Sequence, residues 1–150
     1  MVDVNIRSLL VLTRHFLPGM TVRGFGRILN IASTAGFQAV PTEAVYAASK
    51  AFVLHFTEAL AEELQGTGVT VTCLAPGPTD TPFFGEARVK LSSLMRRNLM
   101  DCPGVARLGF EGLKNEKTLV VPGFSNNFAR FVSRFVPRKW TAKIARKVVE

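Results

Sequence analysis

Apolar residues fall on helical spacing from about Asp3 to Phe16, where Ile6, Leu9, Leu10 and Phe16–Leu17 recur along one side. Pro18-Gly19 predicts the end of that helix. Arg27 to Ala32 (RILNIA) is an apolar run of strand length, and Ser33 to Glu43, with Gly36 and Pro41, reads as a loop. A long helix is expected from about Ala44 to Gln65, closed by Gly66 and Gly68. Val69 to Ala75 is rich in β-branched residues and reads as a buried strand, ended by Pro76-Gly77-Pro78. Next come a helix over Gly85–Met100, an interruption at Pro103 and a helix over Val105–Lys114. A third strand, Thr118–Val121, precedes two amphipathic helices, Ser125–Val136 and Arg138–Val149, split at Pro137. Apolar strands separated by helices predict an α/β fold, with a parallel sheet covered on both faces. In such sheets reactive groups gather beyond the carboxyl ends of the strands. Here those ends are the loops after Ala32 and Ala75.

Composition narrows the class. The chain has 150 residues, 47% hydrophobic and 20% charged, which suits one globular domain rather than a disordered segment. No uninterrupted apolar run approaches the roughly 20 residues of a membrane span. Met1 to His15 carries Asp3, Arg7 and Arg14 and does not look like a signal peptide. Cys73 and Cys102 stand far apart in no metal spacing, and Cys73 reads as a buried, reduced thiol. These features suit a cytoplasmic setting. The net charge is +8, and Arg130 to Glu150 alone holds seven basic residues against one acid. The excess therefore belongs to the tail, not to the body.

Candidate chemistry centres on Tyr46 and Lys50. Four residues apart on one helix, they share a face. An ammonium beside a phenol favours the phenolate, and a tyrosine so tuned trades a proton with a substrate oxygen. Tyr46 is the only tyrosine, against 12 phenylalanines. A bare YxxxK is common by chance and equally describes a surface pair. Ser33, at the end of a predicted strand, adds a hydroxyl suited to a carbonyl that Tyr46 protonates; it also reads as a loop or cap serine.

Three ordered runs, N30-I-A-S33-T-A-G36, Y46-A-A-S-K50 and P76-G-P-T-D-T81, resemble the short-chain dehydrogenase/reductase family. The similarity extends from the first helix to about Val121. It implies the C-terminal portion of a Rossmann-like doubly wound parallel sheet, about three strands, over residues 1–122. A basic, amphipathic helical tail follows over residues 123–150. Tyr46 then resembles the family's general acid/base. Lys50 resembles the residue that lowers its pKa and holds the nicotinamide ribose. Ser33 is similar to the group that orients the substrate. Asn5 matches the asparagine that holds a relay water next to Lys50. Pro76, Gly77 and Thr81 match the stretch that holds the nicotinamide carboxamide. The implied reaction is hydride transfer between NAD or NADP and a carbonyl/alcohol pair.

The Gly-rich dinucleotide grip of this family has no counterpart before Asn5, and Gly24-x-Gly26 precedes a strand rather than following one. NAD and NADP are not distinguished. Three readings stand: a truncated form of a longer oxidoreductase, a catalytically inactive remnant acting as an interaction or membrane-surface protein, or a chain completed by a separate one. Each expects an unpaired edge on the strand Arg27–Ala32 and weak cofactor binding by this chain alone. Phe83, Phe84, Leu91, Leu94 and Met95 favour a small, lipophilic carbonyl or alcohol substrate, or else simple helix packing. The long helices suit a homo-oligomer. In the tail, Phe124, Phe128, Phe131 and Phe135 repeat at helical spacing, as do Trp140, Ile144 and Val148. Beside them runs a stripe of Arg130, Arg134 and Arg138. That pattern suits peripheral contact with an anionic membrane, or packing on the body or a second subunit. No nucleic-acid recognition motif accompanies the charge.

Overall fold

The structure, a computed structural model, describes residues 1–86 and 92–149. Leu91 and the side chains of Phe83, Leu94, Arg138 and Val148 lie outside the described residues. Three strands form one parallel sheet in the order β1 (Gly26–Ile31), β2 (Val69–Leu74), β3 (Leu119–Val120). Asn30 stands opposite Cys73, and Cys73 opposite Leu119.

Side chains alternate across β2, and the alternation assigns its two faces. Val69, Val71 and Cys73 lie with Val53, Leu54, Leu60 and Leu64 of helix α2 (Ala44–Glu63) and the residue that follows it. Thr72 and Leu74 face α5 (Cys102–Lys114), where Gly109 and Gly112 let the helix close on the sheet. A Cβ at Gly109 would stand 2.6 Å from Leu74 Cδ2. The sheet is thus covered on both faces, and β2 is buried along nearly its whole length.

The first helix opens with a π-helical turn, Asp3–Arg7, and runs on as α1 (Ser8–Val22). It does not stop at Pro18-Gly19. Pro18 removes one amide from the ladder, but Arg14, whose carbonyl loses that partner, is exposed to water. Thr21 Oγ1 donates to Pro18 O at 2.9 Å and steadies the last turn. Pro103 is likewise not a break. It sits in the first turn of α5, where a missing N–H costs nothing, and Asp101 caps that turn by accepting from Gly104 N at 2.7 Å.

The helix expected over Gly85–Met100 appears as two short pieces, α3 (Phe83–Glu86) and α4 (Ser93–Arg97), and the residues between them lie outside the described ones. The two closing helices are α6 (Phe124–Ser133) and α7 (Arg138–Val149). Among the described residues β1 pairs only with β2, so its other edge is open, with Phe25 and Ile31 exposed beside it.

Gly66 and Gly68 both adopt positive φ, +77° and +75°, in the turn from α2 to β2. Around Gly66 there is open space, whereas a Cβ on Gly68 would overlap the carbonyl of Gly24. Gly66→Ala should therefore cost about 1–2 kcal/mol, the left-handed penalty alone. Gly68→Ala should add a further ~1–3 kcal/mol of overpacking. Urea denaturation of both variants reads the difference, and equal costs would disprove the contact.

Candidate active site

β1 delivers its last residues to a loop pinned on two sides. Ala32 N donates to Leu74 O at 2.8 Å, and Thr34 N donates to Pro76 O at 2.9 Å. The second bond joins the loops after β1 and β2, the two carboxyl ends named by the sequence. Ser33 is extended, at φ −165°, and its Oγ accepts from Ala35 N at 3.2 Å. That cap starts the 3-10 turn Thr34–Phe37, which folds the loop back against α2. Gly36 makes the approach feasible: a Cβ there would lie 2.8 Å from the backbone carbonyl of Lys50. Backbone cannot yield as a side chain can.

Tyr46 and Lys50 stand one turn apart on the opening of α2. Lys50 Nζ lies 5.7 Å from the Tyr46 ring centroid and donates to Ile31 O at 2.9 Å, at the very end of β1. A hydrogen bond from the Ser33 side chain reaches the Tyr46 phenol. Ser33, Tyr46 and Lys50 are therefore brought together.

Their electrostatics differ from the sequence expectation. Burial pushes the Tyr46 phenol above its ordinary value of 10.0, the Ser33 hydrogen bond opposes that rise, and Glu43 adds to it. The net shift is upward, against the lowering expected from Lys50, because burial is the largest cause. Burial lowers the Lys50 pKa in turn, and Cys73 opposes this. The Cys73 thiol, itself fully buried, is pushed up to about 12, chiefly by burial. It stays protonated, as a structural thiol should.

Asn5 is tied to this helix from outside. Its Nδ2 donates to Ser49 Oγ at 2.9 Å, and Ser49 Oγ donates to Tyr46 O at 2.7 Å. The side chain thus engages Ser49, the neighbour of Lys50, and couples the π turn to the turn bearing Tyr46. Ser49 is a position that reasoning on the motif passed over, although it stands inside YAASK as the one polar residue between the pair.

Past β2, Pro76 accepts the Thr34 bond, and Thr79 Oγ1 donates to Gly77 O at 3.0 Å. Thr81 is half-buried, and among the described residues its Oγ1 makes a long 3.4 Å bond to Thr79 O. Gly77 is held against Asn126 of α6, whose Nδ2 would lie 2.6 Å from a Cβ there. Asn126 was not foreseen, because nothing local marks a partner some fifty residues away. Two clefts, of about 360 and 330 Å³, are lined by residues around Asp80–Pro103 and around Phe37–Thr141. Neither lining includes Ser33, Tyr46 or Lys50. Among the described residues no cluster of His, Cys, Asp or Glu has the make-up of a metal site.

Because Tyr46 is the only tyrosine, a spectrophotometric titration reads it alone. Phenolate absorbance in the folded protein should develop with a midpoint above 10, and Ser33→Ala should move the midpoint higher by removing the hydrogen bond that lowers it. A midpoint below 10, or a downward move in Ser33→Ala, would contradict the arrangement.

The sequence model described as short chain dehydrogenase matches residues 1–91. An uncharacterized oxidoreductase of Staphylococcus saprophyticus is 44% identical over 95 residues, covering 61% of this chain and 41% of that protein. Ketoacyl reductase HetN of Nostoc sp. is 38% identical over 120 residues, covering 79% of this chain and 41% of that protein. The chain thus spans about two fifths of the length of these curated relatives. A solved structure from work on 7beta-hydroxysteroid dehydrogenase stereoselectivity superposes with a TM-score of 0.81 at 25% identity, over 97% of this chain and 57% of that one. With three parallel strands, the Ser33–Tyr46–Lys50 grouping at their carboxyl ends and this family match, the chain belongs to the short-chain dehydrogenase family.

Proposed function

We propose that these residues form the proton-transfer and nicotinamide end of an NAD- or NADP-dependent oxidoreductase acting on a carbonyl/alcohol pair. The observation that carries this reading is the Ser33 hydrogen bond to the Tyr46 phenol, with Lys50 beside the ring.

In the direction of reduction, the carbonyl oxygen takes the place of a hydrogen-bond partner for Ser33 and Tyr46. Tyr46 gives its hydroxyl proton to that oxygen as the carbon is reduced. Burial holds the phenol protonated at neutral pH, which is the state a general acid needs. In the reverse direction Tyr46 must first lose its proton, and the Lys50 ammonium is the nearby positive charge that supports the phenolate. Lys50 is itself positioned by Ile31 O. The side chain of Asn5 and the Ser49 hydroxyl fix the turn that bears Tyr46.

The residues present fit the nicotinamide end of the cofactor. Lys50 offers donors beyond its single bond to Ile31 O, suited to a ribose. The Thr81 hydroxyl, held among the described residues by a 3.4 Å bond, and the Pro76-Gly77 turn offer polar groups suited to a carboxamide. The cofactor, when bound, supplies or accepts the hydride.

Half-buried Phe84 and Met95 support a lipophilic substrate on this side. The ketoacyl reductase and hydroxysteroid dehydrogenase among the similar proteins support the same class. Val11, Leu12 and Phe16, exposed along α1, support association of copies through the long helices.

Fused behind the first half of a family member that supplies the dinucleotide grip, the chain should sustain nicotinamide-dependent ketone reduction. Tyr46→Phe should then lower kcat by about 10²–10⁴-fold with the far-ultraviolet circular dichroism unchanged. Undiminished kcat in that variant would end this reading.

A further inference from the structure

Residues 123–149 hang on the body by small and polar side chains, not by their aromatic ones. Asn127 Nδ2 donates to Val121 O at 2.6 Å and to Gly123 O at 3.0 Å, and Asn126 Nδ2 donates to Pro122 O at 2.8 Å. The Arg130 guanidinium lies 5.8 Å from the Phe37 ring, which seats α6 on the turn after Ser33. α7 buries Thr141 and Ala145, one turn apart on one face.

The large apolar side chains point the other way. Phe124, Phe128, Phe131 and Phe135 of the α6 segment are 58–86% exposed, and Trp140 and Ile144 of α7 are 63% and 55% exposed. Spacings of four, three and four put the phenylalanines on one side of the segment, and Phe131 packs edge-on against Phe135 at 5.1 Å. A contiguous aromatic stripe of this kind marks a surface made to be covered. The alternative that these rings pack on the body is excluded by their exposure.

Charge decides what covers them. Residues 123–149 carry seven basic side chains and no acidic one, and the rest of the chain has no acidic excess to offer them. Arg134, Lys139, Lys143 and Lys147 are exposed. Lys143 Nζ lies 5.8 Å from the Trp140 ring, so cation and aromatic sit at the same level. A second copy laid on this face would set one cationic stripe against another.

We propose that α6 and α7 form a peripheral docking face for an anionic lipid bilayer. The rings enter the boundary between headgroups and acyl chains, and the lysines and arginines meet lipid phosphates and carboxylates. The contact is peripheral: among the described residues no helix is long and apolar enough to cross a membrane. Because α6 rests on the Thr34–Phe37 turn, the docked bilayer adjoins the loop that carries Ser33. The proposal does not depend on catalysis.

The full chain is floated with vesicles of phosphatidylcholine alone or with added phosphatidylserine. Binding should require phosphatidylserine and should weaken at least about tenfold between roughly 0.1 M and 0.5 M salt. A Lys139→Glu/Lys143→Glu variant should lose binding. Phe131→Ser/Phe135→Ser should weaken it about tenfold or more at unchanged charge, since each ring removes apolar burial. All four positions are exposed, and circular dichroism melts verify that each variant folds. Equal binding to both vesicle types, or none to either, would overturn the proposal. So would a dimer that Phe131→Ser/Phe135→Ser dissociates, or duplex DNA binding that displaces the vesicles and ignores the phenylalanine changes.

Discussion

The candidate site depends on how closely one short turn can lie against one helix. Thr34–Phe37 folds onto the opening of α2 because Gly36 has no Cβ to strike the Lys50 carbonyl. That contact sets the distance between the end of β1 and the start of α2. Once it is set, Ser33 at the strand end reaches Tyr46 on the helix, and Lys50 reaches back to Ile31 O. The three side chains belong to two elements far from rigid alone, yet each is fixed by a bond to the other element. The loop after β2 is drawn in by the same turn through Thr34 N and Pro76 O. Pre-organisation here is a property of backbone packing, with the side chains reading it out.

The parallel sheet was legible because its strands are mostly apolar or β-branched and separated by helices, and the observed strand limits differ from the expected ones by at most one residue at each end. The two errors at prolines share a cause. Pro18 and Pro103 both read as breaks, and neither breaks its helix. Proline's cost depends on whether an amide was needed at that place, which the surroundings decide. At Pro103 the cap on Asp101 was available in the sequence; at Pro18 the exposure of Arg14 was not. The motif residues were legible as a pattern of identities. Ser49 and Asn126 were not, because their significance comes from partners 44 residues away for Ser49 and, for Asn126, across the sheet end at Gly77.

The upward shift of the Tyr46 phenol has its cause in burial rather than in the motif. Four-residue spacing placed Lys50 beside Tyr46, with Nζ 5.7 Å from the ring centroid. Lys50 Nζ gives one bond to the Ile31 carbonyl, and both side chains are half-buried. Desolvation opposes charge on each: it raises the acid and lowers the base. Both effects point toward a neutral phenol and a weakened ammonium. A half-buried ammonium with a single carbonyl partner retains donors to offer, so the lysine is held ready rather than satisfied.

The same logic of incomplete satisfaction separates the chain's apolar surfaces. The edge of β1, with Phe25 and Ile31 exposed, carries backbone groups unpaired among the described residues, so its complement is another strand. The α6–α7 face presents aromatic side chains and, over residues 123–149, cations with no acidic residue among them, so its complement is a surface of negative charge with an apolar interior. Covering one cannot substitute for covering the other. The strand edge selects by hydrogen-bond geometry, and the tail selects by charge and hydrophobicity without geometric register. A strand added at the β1 edge would meet backbone groups, whereas the rings of α6 and α7 point to solvent from helices seated at the carboxyl end of the sheet, on the Thr34–Phe37 turn.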